Sequence, residues 1–232
     1  MKTLLGVAAA FLCFTLSARA ADVDGLVKQL QDKDSDVRRK AAKQLADAGP
    51  DAKRAVPVLI AALKDSDLFV RRFSAQALGA IGPDAQSAVP ALEKVIKDAN
   101  EKKEVQEAAV IALGKMGPGS VERLSKIAKD LDNDITLRRR AVEGLAAIGP
   151  DAKDALPVLT DTVKGVVPKG KKMDNTNDIR LEAADALGNI ASSADKDVLE
   201  ALKSLNAAKD AKRNKPLFDA INAAVKKIEA RK

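Results

Sequence analysis

The chain has 232 residues, with 40 Lys and Arg against 33 Asp and Glu, a formal charge of +7, and no His, Trp or Tyr. Without His, and with Cys13 as its one cysteine, it lacks the side chains for imidazole acid–base chemistry, for His-ligated zinc, copper or haem, and for an internal disulfide. Its five Phe residues are too few to line the aromatic platforms on which single-stranded nucleic acid stacks.

The chain opens on a short basic start, Met1-Lys2-Thr3, followed by an apolar run from Leu4 to Leu16 and the small-x-small triplet Ala18-Arg19-Ala20. That order predicts a signal peptide over residues 1–20, cleaved before Ala21, and an exported, periplasmic or secreted protein. The run is too short to span a bilayer, which takes about 20 apolar residues. Leu12 stands before Cys13 where a lipoprotein site needs a small residue. Cleavage would remove the cysteine and lower the positive charge by two, because Lys2 and Arg19 go with it.

From residue 21 to 232 the sequence repeats itself. Gly-Pro pairs fall at Gly49-Pro50, Gly82-Pro83, Gly117-Pro118 and Gly149-Pro150, a period of about 33 residues that marks stacked supersecondary units. Ahead of each pair lies an amphipathic stretch. Starting at Val37, Val70, Val105, Leu137, Ile179 and Leu217, apolar or small residues recur at offsets 0, 4, 8 and 11, for example Val70, Ser74, Leu78 and Ile81. Those offsets share one side of a helix with 3.6 residues per turn. Glycine in a left-handed cap ends each helix, and Pro cannot continue it. A second helix precedes each of these, with apolar members such as Val56, Leu59 and Leu63, and with Pro57, Pro90 and Pro157 in three of the first turns, where a missing N–H costs least. The second unit reads as a helix over 52–64, a turn with Asp65 and Asp67, and a helix over 68–81.

The prediction is an all-α chain, an α-solenoid of about six antiparallel helix pairs. Its units cover roughly 22–50, 51–83, 84–118, 119–150, 151–192 and 193–232, with degenerate first and last units as caps. The fifth is longer than its siblings and carries an insertion near 165–177 with Gly165, Pro168 and Gly170, a loop of the kind that reaches for partners.

Three motifs carry a resemblance: Val56-Pro57-x-Leu59, Val70-Arg71, and Ala77 to Pro83 read as Ala-Leu-Gly-x-Ile-Gly-Pro. With their recurrences they make the chain similar to the HEAT-repeat family, most closely to short bacterial HEAT-like repeats of the phycobilisome-lyase type. The resemblance implies a superhelix with the Pro-bearing helices on the convex side and the Val-Arg helices on the concave side. It also suggests a lyase accessory role, against which the export signal argues. HEAT-like hydroxylases that hold iron through His are excluded by the absence of His.

Several recurring polar residues invite a functional reading. Arg38, Arg71, Arg138 and Arg180 each have an Asp six residues earlier, Asp32, Asp65, Asp132 and Asp174, while Asn100 with Gln106 and Lys212 with Phe218 lose both partners together. The expectation is a structural ladder of Asp/Arg pairs tying interhelix turns to the concave helices. Asp32, Asp34 and Asp36, and Asp130, Asp132 and Asp134, have the opening spacing of a calcium loop but lack its Gly and Glu, so they read as N-caps and Arg partners.

The remaining face of each Val-Arg helix lies at offsets −1, 2, 3, 6 and 10. In most units it is charged. In the second it carries Phe69 and Phe73, flanked by Arg72 and Gln76 and preceded by Arg39, Lys40 and Lys43; the fourth offers Arg139 and Arg140. An exposed Phe pair with a charged rim has the make-up of a protein-binding hot spot. The sequence therefore predicts an exported, non-catalytic scaffold or adaptor that binds a protein on its concave face, with no cofactor and no metal. Alternatives are a basic binder of anionic envelope polymer or membrane surface through lysines such as Lys169, Lys171 and Lys172, and an accessory subunit of a lyase-like enzyme.

Overall fold

A computed structural model describes residues 23–166, 177–207 and 214–231. The proposed signal peptide, Asp174, most of the fifth-unit insertion and its lysines, and Lys212 lie outside them. Helices are α1 (residues 23–29), α2 (Ser35–Ala48), α3 (Val56–Ala62), α4 (Leu68–Ile81), α5 (Val89–Lys97), α6 (Lys103–Lys115), α7 (Val121–Lys129), α8 (Ile135–Ile148), α9 (Leu156–Lys164), α10 (Asn177–Ile190), α11 (Lys196–Ala207) and α12 (Lys215–Ala230). No strand occurs among the described residues. The odd-numbered helices form one set, the outer helices, of which α3, α5 and α9 carry Pro in the first turn, and the even-numbered ones form the inner set, giving six pairs of an all-α, α-solenoid repeat fold.

The chain forms two compact units, one ending at Ala112 and one beginning at Leu113, so the division falls inside α6. In the first, α4 packs on α2 and α3. Its core is made by the repeat positions: Leu45, Leu59, Val70, Leu78 and Leu92 are fully buried, each worth about 1.5–3 kcal/mol relative to exposure. In the second, α8 packs on α7 and α10, and α10 on α9 and α12, around the buried Leu124, Leu145, Leu159 and Leu187. The sixth pair departs from the offset rule. Val225 is only half-buried while Ala224 is buried, because Ala224 is the residue that meets Gly188 of α10.

Two local devices set the repeat geometry. The caps Gly49, Gly82 and Gly149 have φ of 59°, 75° and 71° with ψ of −132°, −138° and −142°. This is not the left-handed helical cap the sequence suggested but the mirror image of extended backbone, which glycine alone enters freely. The following Pro then opens a 3-10 turn, Gly49–Ala55, Gly82–Ala88 or Gly149–Ala155, which buries Ala52, Ala55, Ala85, Ala88, Ala152 and Ala155. The helix expected over 52–64 is therefore a 3-10 turn leading into α3, whereas α4 occupies the predicted span.

The second device is close approach of inner helices. A Cβ on Gly79 would lie 2.8 Å from the Ala112 Cα, and one on Gly114 would lie 2.9 Å from the Gly144 Cα. In each case offset 9 of one inner helix meets offset 7 of the next. The same register carries only Gly or Ala along the chain, as Ala46 and Ala77 or Ala146 and Ala186.

Candidate functional site

The recurring Arg at offset 1 has a backbone task first. Arg71 Nη1 donates to the carbonyls of Asp65 and Ser66 at 2.8 and 3.1 Å, and Arg38 Nη1 to those of Asp32 and Lys33 at 2.9 and 3.0 Å. Arg138 Nε donates to the Ala128 carbonyl at 3.1 Å and Arg180 Nε to that of Val163 at 2.9 Å. These carbonyls lie in the turn after an outer helix or in its last turn, where oxygens lack intrahelical partners. Gln106, which was expected to have lost the interaction, does the same work: its amide donates to the Ile96 and Asp98 carbonyls at 3.1 and 2.9 Å.

The carboxylate partner is also corrected. In the first unit each Arg forks onto the next repeat, not its own: Arg38 Nε and Nη2 reach Asp65 at 2.8 Å, and Arg71 Nε and Nη2 reach Glu101 at 2.8 Å. The carbonyls occupy one edge of the guanidinium, so its other edge faces the neighbouring turn. Burial alone would raise the Asp65 carboxyl, but the Arg38 hydrogen bonds hold it below the usual carboxylate range. In the second unit burial pushes Arg180 down. Asp174 falls outside the described residues.

The outward-face offsets are exposed or half-buried, with Ala108 the one buried member of the set. In the first unit α2 and α4 build a layered cluster there. Asp67 caps α4 by accepting from the Phe69 and Val70 amides at 2.9 and 3.1 Å, which fixes the first turn that carries Phe69. Arg39 of α2 donates through Nε to Asp67 at 2.8 Å and through Nη2 to its second oxygen, and through Nη1 to Asp36 at 2.9 Å. Those bonds outweigh burial and hold the Asp67 carboxyl down to about 2.

The Arg39 guanidinium lies 5.1 Å from the Phe69 ring centre. Arg72 lies over both rings, 5.3 Å from Phe69 and 5.1 Å from Phe73, which are themselves 6.4 Å apart and tilted by 30°. Phe69 is 40% exposed and Phe73 is half-buried. Unlike Arg39, Arg72 makes no ion pair or hydrogen bond among the described residues, and its Nε is shielded from solvent without an acceptor. Lys40, Lys43 and Gln76 stand exposed on the same faces.

The second unit handles its cations differently. Arg140 Nη1 donates to Glu143 at 2.8 Å, while Arg139 Nε lies 3.6 Å from Glu143 and 3.7 Å from Glu182. Burial, then the charge of Glu143, pushes the Glu182 carboxyl up. Asp185 is taken by Lys227 at 2.6 Å. The arginines expected to extend a binding face, Arg139 and Arg140, thus sit in a mixed-sign network.

Two surface grooves were not foreseen, and both lie on outer helices. One, of about 960 Å³, runs between α3 and α5, lined by Pro57, Ile60, Pro90 and Lys94 with the Arg71–Glu101 pair at its edge. The other, of about 600 Å³, lies between α9 and α11, lined by Pro157, Asp161, Lys164 and Lys196. Pro57, Pro90 and Pro157 line them, so the prolines at helix starts were the available signal. The Asp triplets are local turn and cap acceptors: Asp34 accepts from the Asp36 amide at 2.8 Å and Asp134 from that of Thr136 at 2.9 Å. Among the described residues no acidic cluster has the arrangement to hold a metal ion, and no helix is long and apolar enough to cross a membrane.

Residues 23–103 and 99–166 match the model of HEAT repeats. The chain belongs to the HEAT-repeat family. This HEAT-repeat protein is also similar in fold to an engineered protein of known structure, at 24% identity over 90% of this chain and 97% of that one with a TM-score of 0.56. It resembles a designed armadillo repeat protein solved in complex with the peptide (KR)4, at 20% identity over 88% and 98% of the two chains with a TM-score of 0.59. It further resembles the CpcE and CpcF complex of phycocyanin lyase from Nostoc sp. PCC7120, at 21% identity over 74% and 98% with a TM-score of 0.51. No curated protein matches the chain.

Proposed function

We propose that the protein is an exported, non-catalytic scaffold that binds a partner protein on the outward face of its inner helices, the face that the family resemblance makes concave. The observation that carries this reading is the Phe69, Arg72 and Phe73 cluster. Apolar area is left partly open on a helix whose opposite side, from Val70 to Ile81, is buried in the core, and it is rimmed by Arg39, Lys40, Lys43 and Gln76. Clustered aromatic and arginine side chains are the anchors that dominate protein interfaces. The fold supports such use, since a designed armadillo repeat relative holds a peptide.

Co-purification from the native envelope tests the reading. The Phe69→Ser/Phe73→Ser variant loses the partner that the native chain retains, and Phe73→Ala alone weakens it by about 2 kcal/mol with an unchanged melting temperature. Retention of every partner by the double variant overturns the reading. A basic binder of anionic polymer is favoured by one observation, the unpaired Lys40 and Lys43. It predicts binding that collapses between low and high salt, whereas a Phe-anchored contact persists. Export itself is checked by N-terminal sequencing of the secreted chain, expected to begin at Ala21.

A further inference from the structure

The chemistry of the docked segment follows from the charge that the cluster leaves open. Arg39 and Arg72 both lie over the Phe69 ring, but only Arg39 has a carboxylate. The Arg39–Asp67 fork is an internal template for what this environment accepts: a planar guanidinium held against an aromatic face and bonded through two nitrogens to one carboxylate. Arg72 repeats the first half of that template and lacks the second. Its Nε is shielded from solvent, so the donors it leaves for a ligand are its two Nη groups, which make no hydrogen bond or ion pair among the described residues.

We propose that Arg72 is the recognition residue for a carboxylate on the partner, and that the partner segment is an acidic peptide with an apolar side chain next to its Asp or Glu. The inference rests on the scaffold reading above and specifies its ligand. Charge complementarity argues for the occupant. Lys40 and Lys43 add uncompensated positive charge on α2, while the nearby Asp36 and Asp67 are already engaged by Arg39. On the next inner helix the equivalent stretch begins with Glu104 and Glu107, so the cationic patch ends at α4. The rings decide between a peptide and a phosphate-bearing surface. A guanidinium fork fits carboxylate and phosphate alike, but the exposed Phe69 edge gains only from a ligand that brings apolar area beside its charge. Arg72, lying over two rings, is pre-ordered and loses less freedom on engaging the ligand.

Fluorescence anisotropy of the whole purified chain with a labelled peptide of four Glu-Leu repeats, against the same peptide with Gln for Glu, tests the proposal. The Glu peptide binds at least tenfold tighter. Arg72→Gln loses that tenfold and with it the discrimination, at an unchanged melting temperature, while Arg72→Lys, which keeps charge without the fork, restores only part. Equal affinity for the two peptides overturns the proposal, as does discrimination that survives Arg72→Gln. Binding of phosphatidylglycerol vesicles that depends on Arg72, without Glu-peptide binding, also overturns it in favour of a lipid surface. If the Glu peptide fails while the Phe69→Ser/Phe73→Ser variant still loses its envelope partner, only this ligand assignment falls; if the double variant keeps its partners, the scaffold reading falls as well.

Discussion

The outward inner-helix faces of the two compact units draw on similar residues and use them in opposite ways. On α2 and α4, cations stand over aromatic rings and Arg72 has no counter-ion. On α8 and α10, Arg139 and Arg140 are set among Glu143 and Glu182. Beneath both faces the core is the same, because the offsets that fill it are the same. In a repeat protein the buried positions are held by packing, so the open positions are where units become different, and a face whose charges cancel internally has little left to offer a partner.

That contrast can be attacked at three depths. Leu78→Ala in the first unit and Leu145→Ala in the second each empty a fully buried site and are expected to cost about 2–5 kcal/mol in urea unfolding. A large difference between them would break the claim of equivalent cores. Gly114→Val sets a branched side chain against the Gly144 backbone and is expected to cost about 1–3 kcal/mol through overpacking, also by urea unfolding.

The smallest effects concern acid, and their signs differ between the faces. Asp67 ionises down to about 2 in the folded chain against an ordinary 3.8. Its contribution is therefore complete above pH 4 and fades as pH falls toward 2. Glu182 is raised above its ordinary 4.5, so its contribution is complete below that value and is lost as pH rises through the raised one. For such solvent-screened groups each effect is about 1 kcal/mol or less. Thermal melts across pH should show Asp67→Asn, which keeps the helix cap, flattening the acid limb. Glu182→Gln should flatten the other.

The fold was readable from the sequence because its determinants are periodic. Leu45, Leu78, Leu113, Leu145 and Leu187 sit at one offset and all are fully buried. The small-residue register of Gly79, Gly114 and Gly188 was equally visible in the Ala-Leu-Gly motif, but its meaning is a backbone distance, which periodicity does not express. For Arg38 and Arg71 the Asp/Arg spacing pointed to the wrong carboxylate for a related reason. Sequence neighbours suggest contacts within a repeat, whereas Arg38 spends its near edge on carbonyls and finds its carboxylate one repeat on. The open Phe69 could be placed on its face by angle, but the lack of a counter-ion at Arg72 depends on which of several nearby acids Arg39 has already taken.

Glycine lets inner helices approach to backbone contact, and helices packed that closely have axes about 8 Å apart. An extended polypeptide advances about 3.3 Å per residue, so a strand laid across neighbouring inner helices such as α10 and α12 would meet a new one every two to three residues. The missing side chain at Gly188 thus acts as a ruler: it sets the interval at which any bound chain must present its contacts, and a bulkier residue there would change the reading frame of recognition without touching the ligand.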